Sequence, residues 1–410
     1  MHEQEQKEEW KPVPWTNGKN RIGGVIGWIK GIGFLLVLFI TAYFGAVYLL
    51  AFSFPFLLFA PRVYRKFNDL LAAWWYHLPV FFVEYIFRVK FIFTGDKIEQ
   101  TDRTSVFISN HRTRLDWLFL WTYFFHQGRL SNEKIILKYE LKLAPGFGWA
   151  MQAFAFLFLR RKRELDNAHM HNLFGFFADT HYPVQFLLFP EGTDYCPRTV
   201  QRNFDFAKDK KMAIYRHVLH PRTGAISVAY EELSRSHFSS IYDITMGYPD
   251  VIPQGEKEIA SGNFPHQIYV HVKRYDVSEL PRDTTALTKW VQARWEEKEQ
   301  RLTNFYEHNK VLDGDQQQTR DQASYPTQSI EGQKLFQTIL AVAGWIVFIC
   351  LVPWLITSYL GFYWFILTNL FYLVVTYFGG AEYFELRLHA NQKQKRALIA
   401  NQKQSKKHPE

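Results

Sequence analysis

Cysteine is scarce: Cys196 and Cys350 are the only two in 410 residues, which excludes a disulfide framework. Cys350 falls in a long apolar run and Cys196 in a motif-proximal loop, so a cysteine nucleophile is not expected. The sequence also lacks HExxH and paired CxxC signatures. The isolated His169-x-His171 pair therefore reads as a polar helix surface rather than a metal site. A GxSxG elbow is missing too, which counts against a serine hydrolase. There is no internal repeat. Charge itself is absent from residues 31–61 and 335–381. A helix needs about 20 residues to cross a hydrocarbon core of ~30 Å, so the first stretch predicts one span. The second is too long for one helix and divides near Pro353 and Gly361 into two; a pair of buried helices in a soluble domain is the alternative.

The charges that flank these stretches bear on orientation. Lys19, Arg21 and Lys30 precede the first stretch and Arg62, Arg65 and Lys66 follow it, so local charge does not orient it. The long, acid-containing leader and the length of the apolar run argue against a cleavable signal peptide. Arg387, Lys393, Lys395, Arg396, Lys403, Lys406 and Lys407 place the C-terminal tail in the cytosol by the positive-inside rule. A two-span hairpin then puts the segment between the apolar stretches on that side as well. Residues 70–82 are uncharged but too short to cross. They read as an interfacial or re-entrant helix pair broken at Pro79, with an ordinary packed core helix fitting equally well.

The run Asn110-His111-Arg112-Thr113-Arg114-Leu115-Asp116-Trp117 pairs an imidazole with a carboxylate. Imidazole, with an unperturbed pKa of about 6.5, suits removal of a hydroxyl proton near neutral pH. A carboxylate on its other ring nitrogen fixes the tautomer and stabilises the imidazolium. Five residues along a regular helix rotate by about 500°, leaving the two side chains roughly 140° apart. They cannot share a helical face. The spacing therefore predicts a strand over Thr104–Ser109, His111 in the turn after it, and Asp116 reaching back from the first turn of a helix over 115–125. Taken alone, the run also fits a capping Asn110 beside a surface histidine.

A second run, 184–189, is almost wholly apolar and ended by Pro190, as for a strand buried on both faces. Glu191-Gly192-Thr193 then stand at its carboxyl end, the edge where open α/β sheets place ligands. Glu191 is positioned to hold hydroxyls of an acceptor. Gly192 admits close backbone approach, and nearby N–H groups serve a developing oxyanion. A plain strand-to-helix turn with a solvent-exposed glutamate is the simpler alternative.

With both runs in view the chain resembles the glycerolipid (lysophospholipid) acyltransferase family, whose marks are an NHxxxxD block and an FPEGT block separated by an Arg-bearing block. Here the middle block is similar to Pro145-Gly-Phe-Gly-Trp149 running to Phe158-Leu159-Arg160-Arg161. The resemblance implies that His111 is the base, Asp116 its partner and Arg161 a ligand of the acceptor's phosphate. It also implies that Glu191, Gly192, Thr193 and Asp194 bind substrate. Leu219-His220-Pro221-Arg222-Thr223 is the candidate for the fourth block and departs from the simplest family pattern. The wording NHRTRLDW, PGFGWAMQ, FPEGTD and HPRTG looks most like the lysocardiolipin and lysophosphatidylinositol acyltransferase branch. Members that use lysophosphatidic acid commonly carry a basic residue after FPEGT, whereas Asp194 would repel a phosphate dianion. A phosphodiester acceptor is therefore expected.

The implied activity is transfer of a fatty acyl chain from acyl-CoA to a free glycerol hydroxyl of lysophosphatidylinositol, lysocardiolipin or a related lysolipid. The alternatives are a 1-acylglycerol-3-phosphate acyltransferase, hydrolysis of a lipid ester, and a non-catalytic membrane lipid-binding or scaffold protein. The expected partners are acyl-CoA, a lysophospholipid and the bilayer. The thioester is already activated, so acyl-CoA is a co-substrate and neither a metal nor a bound cofactor is expected. A net charge of +9 suits anionic membrane surfaces and CoA phosphates, and no nucleic-acid motif accompanies it. Arg160-Arg-Lys-Arg163 and the lysines from 208 to 211 are candidate CoA or headgroup contacts, with a solvated basic face as the alternative. No oligomeric state is implied. The lysine-rich end at 406–410 suggests endoplasmic-reticulum retrieval.

Further strands are predicted at 225–229, 241–246 and 267–272, and helices at 164–180 and 284–308. Leu287, Trp290, Val291 and Trp295 of the last form a core-packing stripe. The expected fold is α/β: a mixed sheet flanked by helices, with N-terminal and C-terminal transmembrane helices. The organisation reads as a polar tail (1–30), a span (31–61), interfacial or re-entrant helices (62–94) and a catalytic domain (95–312). A polar linker (313–334), a transmembrane pair (335–381) and a basic tail (382–410) follow.

Overall fold

The computed structural model describes residues 24–312 and 332–405. Residues 1–23 of the tail read at 1–30, most of the 313–334 linker and the lysine-rich end at 406–410 lie outside them. Seven strands form one mixed sheet: β1 (Lys90–Gly95), β2 (Thr104–Ser109), β3 (Glu133–Lys138), β4 (Leu157–Leu159), β5 (Val184–Leu188), β6 (Phe238–Gly247) and β7 (Gln267–Asp276). Their order is β1-β7-β6-β2-β5-β3-β4. Neighbours are parallel except for β6 and β7. The expected strands at 104–109, 184–189, 241–246 and 267–272 are thus present. β1 lies inside the segment read as interfacial.

Among the described residues, thirteen α-helices surround the sheet. They are α1 (Val25–Tyr48), α2 (Phe54–Phe59), α3 (Pro61–Phe81), α4 (Asp116–His126), α5 (Phe147–Ala153), α6 (Arg163–Thr180), α7 (Pro197–Lys210), α8 (Gly224–Leu233), α9 (Glu256–Ala260), α10 (Thr284–Glu307), α11 (Gly332–Thr357), α12 (Tyr359–Tyr377) and α13 (Ala381–Ser405). The sheet divides them through the two-residue period of its strands. Phe107 and Leu187 pack into the layer formed by α1, α3, α4 and α11. Val106, Ile108, Phe186 and Leu188 face the opposite layer of α6, α8 and α10. Leu287, Val291 and Trp295 are buried in that second layer, as the stripe in α10 predicts.

Two expectations are corrected. The predicted strand at 225–229 is the first half of α8. Ile226, Ala229 and Leu233 are buried at three- and four-residue steps, so the short apolar run follows a helical period against α6. The predicted break at Pro79 does not occur: α3 runs through Pro79 to Phe81 and passes into a π-helical turn at Phe82–Ile86. Proline removes one ladder hydrogen bond. Just past it the Phe87 N–H donates to the Phe82 carbonyl five residues back, so the chain widens its turn instead of stopping.

Among the described residues, three helical stretches are long and apolar enough to cross a membrane: Val25–Phe59, Gly332–Thr357 and Tyr359–Tyr377. The first is not one continuous helix, because a 3-10 turn at Leu50–Ser53 separates α1 from α2. The C-terminal pair divides at Ser358, between Pro353 and Gly361, where the Ser358 hydroxyl caps α12 by accepting from the Gly361 N–H. Pro353 itself stays within α11. α11 and α12 present large apolar side chains outward, while half of the α1 stretch packs against the rest of the chain.

Candidate active site

β2 and β5 are parallel neighbours with Ile108 opposite Leu188, so both chains leave the sheet at the same edge. β6 ends there as well. The Asn110 side chain locks the two exits together: its Nδ2 donates to the Met246 carbonyl at 3.0 Å, and its Oδ1 accepts from the Met246 N–H at 2.8 Å. Asn110 therefore extends the sheet by one side-chain rung and does not cap a helix.

The next residue is the candidate base. His111 Nδ1 lies 2.9 Å from Asp116 Oδ2. An ionised carboxylate only accepts, so Nδ1 holds the proton and Nε2 is the basic nitrogen. His111 is 16% exposed and Asp116 0%. Asp116 sits in the first turn of α4, reaching back as the spacing requires. Its Oδ2 also accepts from the Thr113 N–H at 3.0 Å, and its Oδ1 from the Tyr248 hydroxyl. Burial, and then the Asp116 charge, push the Tyr248 hydroxyl well above its ordinary pKa, so it remains a donor. The imidazole stacks on Phe189 at 4.2 Å between centroids, which fixes its plane.

Glu191, expected to hold acceptor hydroxyls, is buried rather than solvent-exposed and lines a smaller cavity beside the main one. It is 3% exposed, and its Oε1 accepts from the His111 N–H at 3.3 Å and the Trp295 indole N–H at 3.4 Å. It braces the backbone of His111 from behind. Burial pushes its carboxyl up to about 8, despite those donors. Gly192 has φ +71°, the left-handed region in which glycine is favoured. A Cβ there would meet Arg222 Cδ at 3.4 Å. Its N–H closes the turn on the Phe189 carbonyl, and the Arg222 N–H donates to the Pro190 carbonyl at 2.7 Å. The fourth block is thereby pinned to the third.

His111 opens onto a cavity of about 930 Å³. Its apolar wall includes Phe34 and Leu38 of α1, Trp75 of α3, Trp117 and Trp121 of α4, and Trp345 of α11. Its polar lining includes His111, Arg114, Arg161, Thr193, Asp194 and Arg222, together with Lys138, Arg163, Glu140, Asp166 and Glu256. A hydrophobic chamber walled by membrane helices thus meets a basic rim at the imidazole, an arrangement that accepts an apolar chain with an anionic head. Asp194 is buried, and its Oδ2 lies 3.4 Å from Arg114 Nε. Its charge is therefore partly offset.

Among the remaining candidates, Arg160 stacks over Tyr139 at 4.1 Å, whereas the lysines at 208–211 line neither this cavity nor the smaller one beside it. His171 pairs with Glu232 at 2.8 Å, and the described residues contain no cluster of three or more metal-ligating side chains. Tyr248, Trp295 and Arg114 escaped the sequence reading as site residues. The first two reach the site only through β6 and α10, far along the chain from the motifs. Arg114 lay inside the first block with nothing to mark its pairing with Asp194.

Comparisons with known proteins place the chain in a family. A family model described as Acyltransferase matches residues 90–249, and one described as Acyltransferase C-terminus matches 258–330. Lysocardiolipin acyltransferase 1 of Gallus gallus is 40% identical over 89% of this chain and 96% of that protein. The Danio rerio protein of the same name is 43% identical over 68% and 72%. Lysophosphatidylinositol acyltransferase 10 of Caenorhabditis elegans is 31% identical over 70% and 73%. The chain is an integral membrane O-acyltransferase and belongs to the glycerolipid acyltransferase family.

Proposed function

We propose that the chain transfers a fatty acyl group from acyl-CoA to a free glycerol hydroxyl of a phosphodiester lysophospholipid, with lysocardiolipin and lysophosphatidylinositol as the leading acceptors. The observation that carries this reading is the His111–Asp116 pair standing where an apolar chamber meets an arginine rim. His111 Nε2 takes the hydroxyl proton while Asp116 stabilises the imidazolium. The oxygen attacks the thioester carbonyl. The Gly192 N–H is spent within its turn, so the N–H groups of Thr193 and Asp194 are the donors left at this corner for the oxyanion. Collapse of the tetrahedral intermediate expels the CoA thiolate, which recovers the proton from the imidazolium. Arg161 holds the acceptor's phosphate, and Gly192 keeps the backbone close to it.

The acceptor preference is supported by the buried Asp194 and by the printed names of the relatives above. The bilayer proposed is that of the endoplasmic reticulum with the catalytic face cytosolic, in keeping with the basic residues of α13. The test is label transfer from acyl-CoA into lysophosphatidic acid, lysophosphatidylinositol and lysocardiolipin, using membranes that carry the chain or its His111→Ala variant. Product that depends on His111 supports the reading. Near-normal turnover by the variant removes His111 as base, and no product from any acceptor moves the assignment to lipid binding or scaffolding.

A further inference from the structure

Beside the main cavity lies a second one of about 410 Å³, between the 191–193 turn, the first turns of α7 and the 219–222 loop. Arg161, Gly192, Thr193 and Arg222 line both, so the two cavities share one wall. Across that wall stand Arg202 and Asn203 of α7, which belong to none of the sequence blocks. Arg161, Arg202 and Arg222 are exposed, and none of them is in an ion pair among the described residues. Asn203 Oδ1 accepts from the His220 N–H at 2.8 Å and lies 3.0 Å from its Nδ1. With that oxygen committed, the group the Asn203 amide has left for a ligand is its NH₂, a donor. The one carboxyl on the wall, Glu191, is kept toward its neutral form by burial and does not cancel the arginines. Three guanidinium groups and an amide donor around one small chamber form a surface complementary to a phosphate.

We infer that this side cavity is a second anion subsite, built on Arg202, Asn203 and Arg222, which takes one further phosphate group of the bound substrates. Arg161 stands in the shared wall, so a phosphate in the main cavity and one in the side cavity are read together. The inference rests on the acyl-transfer reading in that its two sources are the substrates proposed there: a second phosphate in the acceptor headgroup, as in lysocardiolipin, or the phosphates of CoA. A lysolipid with a single phosphate leaves the subsite to CoA.

The test measures binding, so that it does not depend on turnover. Thermal stabilisation of the detergent-solubilised full chain is titrated with bis(glycerophospho)glycerol, the deacylated two-phosphate headgroup. Parallel titrations use glycerophosphoinositol and adenosine 3′,5′-bisphosphate, the nucleotide end of CoA. The wild type is expected to bind one of the two-phosphate probes, with an apparent Kd about tenfold or more weaker in Arg202→Gln. Lys208→Gln, on the same helix but outside both cavities, should bind as wild type. The probe that responds identifies the source. In turnover, Arg202→Gln then raises KM for that substrate with little change in kcat. Failure of both probes to bind, or equal affinity in Arg202→Gln, overturns the subsite. If label transfer fails for every acceptor while Arg202-dependent binding persists, the proposed activity falls and the subsite stands.

Discussion

At the scale of single residues, the candidate site is a histidine held in place by buried partners. Tyr248 lies outside the motif blocks, yet its hydroxyl bonds the carboxylate that orients His111. Removing a hydrogen bond to a charged group costs about 1.5–3 kcal/mol. Tyr248→Phe is therefore expected to lower kcat by roughly tenfold or more with KM for acyl-CoA nearly unchanged, as steady-state kinetics would show; a wild-type kcat would mean that Asp116 needs no third donor. Glu191 offers a pH signature. Its carboxyl is raised from an ordinary 4.5 to about 8, so above pH 4.5 the folded chain binds a proton that the unfolded chain has released. Stability from this group is complete below pH 4.5 and declines as pH rises through 8. Glu191→Gln cannot ionise. Thermal unfolding from pH 5 to 9 should show a weaker alkaline decline in that variant than in wild type. Asp194, paired with Arg114, sets a third expectation. Asp194→Arg should shift selectivity toward lysophosphatidic acid, read as the ratio of kcat/KM for that acceptor to that for lysophosphatidylinositol; an unchanged ratio defeats the electrostatic account of headgroup choice.

At the scale of elements, the motifs were legible because each sits where a strand gives way to a turn. β2, β5 and α4 lie where the apolar runs and the five-residue spacing place them, and the membrane helices follow from length and lack of charge alone. What misled was local ambiguity. The run at 225–229 is too short to declare its period, and Pro79 marks a widened turn because the packing of α3 against α4 and α11 holds the helix straight through it. The use of Gly31 was also illegible, since it depends on what arrives from another part of the chain. A Cβ at Gly31 would lie 2.1 Å from the Ile259 carbonyl oxygen, whereas one at Gly33 meets nothing within 4 Å. Gly27 stands one turn earlier on the same face, where a Cβ would lie 2.5 Å from the Ser261 carbonyl oxygen. This glycine spacing can pair two membrane helices; here it receives the end of α9. Overpacking costs about 1–3 kcal/mol. Gly31→Ala should lower the thermal midpoint and the activity, because Phe34, Leu38 and Ile259 share the cavity wall. Gly33→Ala should do neither.

At the scale of the whole molecule, the C-terminal helices complete the catalytic body. Glu382 and Glu385 stand three residues apart on α13 and enter the protein together. Glu385 pairs with Arg65 of α3, and Glu382 with Lys142 in the turn before α5. Arg65 Nη1 also donates to the Ala153 carbonyl at 2.8 Å, at the end of the helix that carries part of the cavity wall. A third buried pair, Lys134 with Asp69 at 2.7 Å, ties β3 to α3. Charges in such positions are costly to desolvate, and each is tolerable only while its partner is present. Residues at opposite ends of the sequence are thus mutually required. Removing one partner of a buried pair costs about 3–5 kcal/mol, while replacing both by apolar residues of similar volume is often neutral. Glu385→Ala should therefore cause a large fall in thermal stability and in acyl transfer, and Arg65→Met combined with Glu385→Leu should recover most of both. A chain ending at residue 331 leaves Arg65 and Lys142 unpaired at once and should be inactive, although it keeps His111, Asp116 and Glu191. Wild-type turnover by that shortened chain would show that α11–α13 serve only as an anchor; loss of turnover, with recovery in the paired substitution of the full chain, would show that they hold the cavity in its working shape.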